Sequence, residues 1–314
     1  MKNRVKNCIK KHKVFCGIVF FIVGLFVFSL VSLLWTIQKK SVDIVAKEDV
    51  DPTAEKVLIA EKDQEDADVF NVLLVGTDSR DPDADMGRSD SMMLVSFNKT
   101  ENKSTIVSFL RDSLVDIEGY GKSRLGHTYA YGGVGLTINT INETYDLDVQ
   151  NYITISFDNL VGVIDEIGGV EVYISSEEAE YYRTRGLPNI QEGTNTLSGS
   201  QALAHTRNRT LGTDFERTRR QRSVMYGIYK KIMANKNPAD LLPLINYCMT
   251  QVETNLTVEE IYEWAKIVLE TDNLLMQQAS APHSDTYTSI NYEGMEVLEI
   301  DFEANKAILK ELLY

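Results

Sequence analysis

The hydrophobic pattern begins with one long apolar run near the N-terminus. Residues 14–37 are 24 consecutive residues without a charged side chain. A helix needs about 20 apolar residues to cross a bilayer core, whereas a cleaved signal peptide has an apolar core of roughly 7–15 residues and a site of small residues after it. The run is longer than that, and its end, SLLWTIQKK, offers no such site. We therefore predict a single transmembrane helix over residues 14–37.

The rest of the chain alternates between short apolar runs and segments with helical spacing. A polar, acidic stalk is predicted over residues 38–68, because this segment is only weakly periodic. The runs FNVLLV, SMMLVSF and STIVSFL predict strands, and the turn NKTEN joins the last two into a hairpin. Helical segments then alternate with the strands YITISF and VEVYI, and this alternation predicts an α/β domain. We expect one domain over residues 69–314, since neither an internal repeat nor a strong linker divides it.

The segment GTNTLSGSQALAHTRNR predicts a turn followed by a short helix. The next helix is predicted to start at TDFE. Thr213 and Glu216 have the spacing of a capping box, in which the side chains at both positions satisfy free backbone groups. With Thr213 as the N-cap, Arg217 lies near the first turn and Gln221 lies four residues further along the same face.

Charge separates the chain into a basic end and an acidic body. The net charge is -14, but residues 1–40 contain eight Lys and Arg and no Asp or Glu, so the remaining residues have a net charge of -22. The heavier positive flank of a membrane helix stays in the cytoplasm, which predicts a cytoplasmic tail of residues 1–13 and an extracellular body. An acidic body also argues against a nucleic-acid partner. Cys248 is its only cysteine, so it forms no internal disulfide.

The first candidate site is the acidic loop GTDSRDPDADMGRSD, which follows a predicted buried strand. Loops at strand ends are common locations of α/β active sites, and carboxylates are natural ligands of Mg²⁺. Asp78 ends one strand region and Asp90 begins the next, so the loop could bring them together at a metal. An EF-hand is excluded, because the glycine is one place late and position 12 is methionine. The intervening aspartates are interpreted as a solvated loop.

The second candidate site is a cluster of six arginines between positions 207 and 222. Guanidinium groups bind phosphate in a bidentate manner, and a helix N-terminus favours anions. Arg207, Arg209 and Arg217 lie in or beside a turn and predict an anion site. The last three members, Arg219, Arg220 and Arg222, are interpreted as a helix face paired with acids.

A third candidate is Arg111, which ends a strand and can converge with Asp78 on one crevice. The sequence has no Walker-A loop, no G-x-S-x-G elbow and no zinc spacing among its histidines. His12 lies in the predicted cytoplasmic tail, and we interpret His127, His205 and His283 as structural rather than catalytic. Acids and arginines without a nucleophile of the Ser, His or Cys type indicate metal-assisted phosphoryl transfer.

These residues also carry a family resemblance. Six motifs occur in order within residues 70–233: GTDSR, RSDSMML, LRDS, YAYGG, DNLVGVIDEIGGVEV, and ALAHTRNR followed by TDFERTRRQ. The ordered set resembles the LytR-CpsA-Psr family of bacterial cell-wall enzymes. The resemblance implies a three-layer α/β/α fold with a central mixed sheet and a pocket for a polyprenyl pyrophosphate. It implies transfer of an anionic glycopolymer, such as teichoic acid or capsular polysaccharide, from undecaprenyl pyrophosphate to peptidoglycan at the outer face of the membrane of a Gram-positive cell.

The resemblance also implies roles for individual residues. Asp78 and Asp90 would hold Mg²⁺, with Mn²⁺ as a possible substitute, and Asp214 would support the arginines or take part in acid–base chemistry. Asp78 is the preferred candidate for the general base, and Asp78, Asp90, Arg111 and Asp214 form the expected catalytic set. The pyrophosphate would be bound by six residues, namely Arg88, Arg111, Arg207, Arg209, Arg217 and Gln221.

The sequence departs from the family pattern before and within these motifs. Leu110 replaces the usual proline, SRLGHTYAYGG replaces a version containing Lys-x-Asn, and His205 stands where tyrosine is common. The charged groups are retained, so the departures concern contacts with the lipid or the acceptor. Two other functions stay open at this point: a polyprenyl-pyrophosphate hydrolase and a non-enzymatic, lipid-binding regulator of envelope synthesis.

Overall fold

The computed structural model describes residues 68–77, 89–187, 189–234, 238–271 and 274–314. The predicted tail, membrane helix and stalk, as well as residues 78–88 of the acidic loop, lie outside these residues. Within the described ranges, none of the helices combines the length and the apolar character that a membrane span requires. The predicted span at residues 14–37 therefore stays a prediction.

A six-stranded mixed sheet forms the centre of the fold, in the order β10-β3-β2-β1-β6-β9. Its strands are β1 (Val69–Thr77), β2 (Ser89–Asn98), β3 (Lys103–Phe109), β6 (Asn151–Ser156), β9 (Val252–Thr254) and β10 (Leu275–Ala281). Two two-stranded ribbons, β4 (Leu114–Ile117) with β5 (Gly121–Arg124) and β7 (Val170–Ile174) with β8 (Gly193–Leu197), lie between them in sequence. A third ribbon, β11 (Tyr287–Tyr292) with β12 (Met295–Ile300), lies near the C-terminus.

Four strands of the sheet end at the same edge. β1 runs parallel to β6, β3 runs parallel to β10, and β2 is antiparallel to both β1 and β3. The register places Thr77 beside Ser89 and Ser156, at the ends of β1 and β6 and the start of β2. We call this edge, where β1, β3, β6 and β10 reach their carboxyl ends, the carboxyl edge.

Helices cover both faces of the sheet. On one face, α1 (Thr128–Tyr145) and α8 (Phe302–Leu313) pack against a continuous apolar cluster that includes Leu73, Leu94 and Val107, each fully buried. On the other face, Trp264 of α7 (Val258–Glu270) stacks on Phe70 of β1 with ring centroids 4.2 Å apart. The long helix α5 (Asp214–Ala234) lies on this second face as well, where Arg222 donates to the Ser280 hydroxyl of β10 at 3.0 Å.

A second apolar cluster lies beside the sheet. The β7–β8 ribbon packs here with α5 and with α2 (Phe157–Glu166), α3 (Ser176–Thr184) and α4 (Gly199–Thr206), and Ile164, Val170 and Ala202 are fully buried among them. The remaining helix, α6 (Pro238–Met249), precedes β9. The second cluster fixes α4 and the middle of α5, through Val224, and these are the two helices on either side of the arginine-rich turn.

The predicted α/β fold with a central mixed sheet and the predicted β2–β3 hairpin are confirmed. The strand β8 occupies part of the segment predicted as a turn, because its polar residues alternate between the ribbon and solvent and leave only Leu197 to bury. The helix α1 begins seven residues before the predicted segment at Gly135, across a kink in which Gly132 and Gly133 have non-helical angles. The φ of Gly133 is +66°, a conformation that favours glycine.

His205 is a buried structural residue between α3 and α5. Its Nδ1 lies 2.7 Å from the Tyr182 hydroxyl and its Nε2 lies 3.4 Å from the Ser223 hydroxyl. Burial is the main cause that lowers the pKa of His205 to about 4, and the nearby Arg220 lowers it further, although Glu178 opposes the shift. The imidazole is therefore neutral in the folded protein near pH 7. Its role is structural, because both ring nitrogens lie within hydrogen-bond distance of buried or half-buried hydroxyl groups.

This lowered pKa predicts a pH dependence of stability. Between the ordinary pKa of 6.5 and the folded-state value of about 4, the unfolded chain binds a proton that the folded protein excludes. The free energy of unfolding should thus fall as pH decreases through this window, by up to about 3 kcal/mol from this residue. Urea unfolding of the wild-type protein and of His205→Gln across the window measures it. The variant should show a shallower decline, and equal slopes in the two proteins would contradict the assignment.

Candidate functional site

Charged residues from three separate segments meet at the carboxyl edge. Asp90 is the second residue of β2, Arg111 follows the end of β3 by two residues, and Asp214 opens α5. Arg111 Nη1 donates to Asp90 Oδ1 at 2.8 Å, and its Nη2 lies 3.8 Å from Asp214 Oδ1. Asp90 and Arg111 are 21 positions apart. Asp214 follows Arg111 by more than one hundred positions, and the sheet register and the start of α5 bring all three together.

Two further arginines complete this group. Arg209 Nη2 lies 2.9 Å from Asp90 Oδ2, so the Asp90 carboxylate binds a different guanidinium at each oxygen. Arg217 Nη2 lies 2.8 Å from Asp214 Oδ1 and donates more weakly to the Asp90 carbonyl oxygen at 3.5 Å. We call Asp90, Arg111, Arg209, Asp214 and Arg217 the ion-pair cluster. Three guanidinium groups against two carboxylates leave it with one excess positive charge.

The cluster is partly open to solvent. The side chains of Asp90, Arg111 and Asp214 are 21%, 27% and 23% exposed, and that of Arg209 is 57% exposed. Burial opposes ionisation of Arg111, but the neighbouring carboxylates, that of Asp214 most of all, more than offset this and raise the pKa of Arg111. The guanidinium thus stays charged while it faces the surface.

Arg217 occupies the most enclosed position of the cluster. Its side chain is only 3% exposed, and burial is the first cause that lowers the pKa of Arg217, with Asp214 opposing the shift and Arg111 adding to it. The ordinary pKa of an arginine lies so high that the group remains a cation near neutral pH. Its position in the first turn of α5 adds the helix N-terminus, whose free N–H groups also favour an anion.

The turn that carries Arg209 is held from beneath by Arg220. The Arg220 Nη2 atom donates to the main-chain oxygens of Asn208 at 2.7 Å and Leu211 at 2.9 Å. The Asn208 side-chain oxygen in turn accepts from the backbone N–H of Thr210 at 2.9 Å. These bonds fix both sides of Arg209, which is why an exposed arginine on a turn stays directed at Asp90.

Arg207 and Gln221 are not members of the ion-pair cluster. The Arg207 guanidinium stacks on the ring of Phe157, 4.4 Å from its centroid, just after the end of β6. Arg207 therefore lies at the same edge of the sheet as the cluster, but it contacts Phe157 rather than a residue of the cluster. Gln221 is buried, and its side-chain oxygen has no hydrogen-bond partner among the residues that the structure describes.

The interpretation of Arg219, Arg220 and Arg222 as a helix face paired with acids is correct only in part. Arg219 is exposed and pairs with Glu178 at 3.3 Å, as expected. Arg220 is fully buried, because it reaches the same carboxylate at 3.5 Å from inside the protein. Arg222 is buried as well and donates to a serine, and burial lowers its pKa to about 10. Periodicity could not distinguish these cases, since charged residues are assigned to the surface by default.

Asp112 and Gly126 belong to the site and were not predicted. Asp112 Oδ2 lies 3.7 Å from Arg111 Nε, and its other oxygen lies 3.4 Å from Arg124 Nε. Gly126 N–H donates to the Arg111 carbonyl at 2.8 Å, and a Cβ on Gly126 would meet the Arg111 Cβ at 3.0 Å. The motif LRDS contained Asp112, but only the packing of the β4–β5 ribbon shows that it supports Arg111.

Two predicted site residues, Asp78 and Arg88, lie outside the described residues. The structure therefore neither tests the predicted pair Asp78 and Asp90 nor places Arg88 in the anion site. Over the described ranges, no group of three or more His, Cys, Asp or Glu residues is arranged to hold a metal. Asp90, the one predicted metal ligand that the structure describes, binds two arginines.

The arrangement is suited to a polyanionic ligand at an edge where strands end. Several guanidinium groups can donate to phosphate oxygens simultaneously, and those in this cluster are already held in place by carboxylates. The cluster is built from Asp and Arg side chains, which can bind an anion and stabilise its charge.

Comparison with known proteins identifies the family of this chain. The sequence pattern of the LytR_cpsA_psr family matches residues 31–312. TagT of Bacillus subtilis, named a polyisoprenyl-teichoic acid–peptidoglycan teichoic acid transferase, is 37% identical over 170 residues, which are 52% of this chain and 53% of TagT. TagU of Bacillus licheniformis, which has the same activity in its name, is 32% identical over 260 residues, 81% of this chain and 82% of TagU.

Solved structures agree. The crystal structure of B. subtilis TagT has a TM-score of 0.64 at 26% identity and covers 81% of this chain and 93% of TagT. A TagT structure with bound octaprenyl pyrophosphate lipid has a TM-score of 0.60, also at 26% identity, and covers 81% and 94%. The sequence match is shorter than the structural one: in sequence, the chain spans about half the length of TagT. The match over residues 31–312 is decisive: this chain belongs to the LytR_cpsA_psr family.

Proposed function

We propose that this protein transfers a glycopolymer of the teichoic acid class from a polyprenyl pyrophosphate carrier to peptidoglycan. The observation that carries the proposal is the ion-pair cluster, in which three arginines converge at the carboxyl edge of the sheet. The names of TagT and TagU support the reaction, and the TagT structure with octaprenyl pyrophosphate supports the ligand class.

In the proposed reaction, a sugar hydroxyl of peptidoglycan attacks the phosphorus that carries the polymer. The bond to the second phosphate breaks, polyprenyl phosphate leaves, and a phosphodiester joins the polymer to the wall. Arg111, Arg209 and Arg217 bind the pyrophosphate oxygens and stabilise the charge that the leaving phosphate gains. Arg88, Arg207 and Gln221 are proposed as further ligands of the same group.

Asp214 has a supporting role in this proposal. Its carboxylate lies within ion-pair distance of Arg217 and Arg111, so it orients two donors toward one anion. The hydroxyl proton goes to a general base, for which Asp78 remains our candidate, in the segment outside the described residues.

Mg²⁺ is the proposed metal, with Mn²⁺ as a substitute. Mg²⁺ is usually held by only one or two carboxylates together with substrate phosphate oxygens, so the site needs no complete protein cage. Asp90 fits this requirement in its chemistry and its place at the carboxyl edge, and Asp78 would be its partner. When bound, the ion would neutralise charge on the pyrophosphate. Arg111 and Arg209, which now bind Asp90, would then be available to the substrate.

The protein is also proposed to work at the outer face of the cell membrane. Residues 14–37 would form the transmembrane helix and residues 38–68 the stalk that holds the catalytic domain near its lipid substrate. The basic flank of the apolar run supports this orientation.

A transfer assay tests the proposed function. The full-length chain would be incubated with a labelled lipid-linked teichoic acid precursor and peptidoglycan, with Mg²⁺ or with EDTA. We expect polymer to appear on peptidoglycan, with a loss of at least about 100-fold in Asp90→Asn, because the variant no longer provides a carboxylate for the cation or for Arg111. Polymer released to water would instead indicate a hydrolase. Tight precursor binding without any product would indicate a lipid-binding regulator.

A further inference from the structure

A cleft opens beside the ion-pair cluster, between the β11–β12 ribbon and the start of α5. Its volume is about 630 Å³, within the usual range for ligand sites, and Asp112 and Asp214 line its inner end. Asp214 therefore borders both the cleft and the arginines. One wall of the cleft comes from the β11–β12 ribbon, which is C-terminal to the family motifs that we recognised, so those motifs leave the role of the ribbon unassigned.

The β11–β12 ribbon supplies one wall of the cleft, mostly from one of its faces, with Ile290 and Val297 of the other face also in the lining. The antiparallel register pairs Ser289 with Leu298 and Asn291 with Glu296, so these four side chains share one face with Tyr287. All five line the cleft. The wall thus alternates hydroxyl, amide and carboxylate groups with apolar surface, and it presents them in a fixed row.

The ribbon is attached directly to the segment that carries Arg111. Leu298 N–H donates to the Asp112 carbonyl at 2.9 Å, and Arg124 Nη2 donates to the Glu296 carbonyl at 2.8 Å. In both bonds the acceptor is a backbone oxygen, so neither bond uses the Glu296 side chain, which is left to face the cleft. A ligand on the ribbon would therefore keep a fixed distance from the arginines.

Charge distinguishes the cleft from the ion-pair cluster. Three carboxylates line the cleft, those of Asp112, Asp214 and Glu296, and no lysine or arginine is among the described residues that line it. Asp112 and Asp214 are paired with arginines, so Glu296 is the lining carboxylate without an ion-pair partner among the described residues, and the wall offers an anionic ligand no cation of its own. A neutral ligand rich in hydroxyl groups would instead donate hydrogen bonds to these carboxylates, which are strong acceptors.

An aromatic pair provides the apolar part of the wall. Phe215 of α5 and Tyr287 of β11 stack with ring centroids 5.1 Å apart, and both are partly exposed along the cleft. Aromatic side chains with a polar tip suit ligands that have both apolar and polar surface, as sugar rings do.

We propose that this cleft binds the neutral sugar strand that carries the acceptor hydroxyl. The inference rests on the proposed function, since it assigns the second substrate of that reaction. The donor pyrophosphate binds at the arginines, the acceptor binds along the β11–β12 wall, and Asp214 marks the place where the two meet. The cluster offers guanidinium groups to an anionic donor, and the cleft wall offers hydroxyl, amide and carboxylate groups to an uncharged acceptor.

Binding of chitotetraose, a neutral N-acetylglucosamine tetramer, to the full-length chain tests the cleft. We expect Glu296→Ala and Tyr287→Ala to weaken binding, measured by calorimetry or ligand-observed NMR, by about 10-fold each, because one removes an acceptor and the other the apolar wall. The matched controls are Glu299→Ala and Thr288→Ala, a cross-strand pair on the opposite face of the same ribbon. These should change binding by less than about twofold. Glu296→Ala alters an exposed side chain, so it keeps the test valid if Tyr287→Ala unfolds.

A second measurement separates this inference from the proposed function. Inorganic pyrophosphate should bind equally well to Glu296→Ala and to the wild type, and the Michaelis constant for peptidoglycan should rise by about 10-fold in that variant. Equal weakening by Glu296→Ala and Glu299→Ala, or none by either, would overturn the cleft assignment even if transfer proceeds normally. Selective loss of chitotetraose binding in a protein that transfers nothing would uphold the cleft as a sugar site and reject the reaction.

Discussion

Replacing Arg111 by lysine is expected to lower the rate of glycopolymer transfer by at least about 100-fold, although the positive charge is retained. The three guanidinium nitrogens of Arg111 face three different carboxylates: Nη1 faces Asp90, Nη2 faces Asp214 and Nε faces Asp112. A lysine has a single ammonium centre and cannot span β2 and α5 in this way. The loss should appear in the rate constant, since the arginine is proposed to stabilise charge that develops as the phosphate leaves.

The transfer assay described above measures this effect, with Arg183→Lys as the control. Arg183 is an exposed arginine on α3 that pairs with Glu180 in its own helix, so the same substitution there should leave the rate within about twofold. A normal rate in Arg111→Lys would show that a point charge is sufficient. It would contradict the proposed requirement for a guanidinium group that contacts three carboxylates. Folding of the variant is checked by its unfolding midpoint, which should change little because Arg111 is partly exposed.

Replacing Arg220 by methionine is expected to reduce the free energy of unfolding by about 3–5 kcal/mol. Arg220 is 1% exposed and Glu178 is 3% exposed, so the substitution leaves a carboxylate in the interior whose remaining ion-pair partner among the described residues is the exposed Arg219. It also removes the donors to the main-chain oxygens of Asn208 and Leu211. Breaking one half of a buried pair costs more than the pair contributes, because the remaining charge is desolvated without compensation.

Urea unfolding tests this, and the neighbouring arginine provides the control. Arg219 pairs with the same Glu178 but its side chain is 54% exposed, so Arg219→Met should cost less than about 1 kcal/mol. Adding Glu178→Gln to Arg220→Met should recover part of the loss, since the amide removes the uncompensated charge and still accepts from the Ser175 N–H. Equal destabilisation by the two arginine variants would show that burial of Arg220 does not matter. The Arg220→Met variant should also lose transfer activity in its folded fraction, because the turn that holds Arg209 depends on it.

The sequence predicted most of the sheet because its strands are short apolar runs with clear ends. The β2–β3 hairpin and the strands β6 and β7 follow directly from such runs. The strand β8 was missed, because a polar edge strand buries one residue and leaves no hydrophobic pattern. The β11–β12 ribbon was also missed; its strands pair with each other outside the central sheet and expose alternate polar groups.

For the site, the sequence by itself determined which groups are present: the aspartates and arginines at strand ends and helix starts, and the motifs that carry the family. Only the tertiary structure decided their partners. Asp90, Arg111 and Asp214 meet because β2, β3 and α5 end or begin at one edge, a consequence of strand order that spacing along the chain does not encode. Burial was decided in the same way. Arg219 and Arg220 are adjacent in sequence and share one carboxylate, yet the direction in which each side chain leaves the helix makes one a surface charge and the other part of the interior.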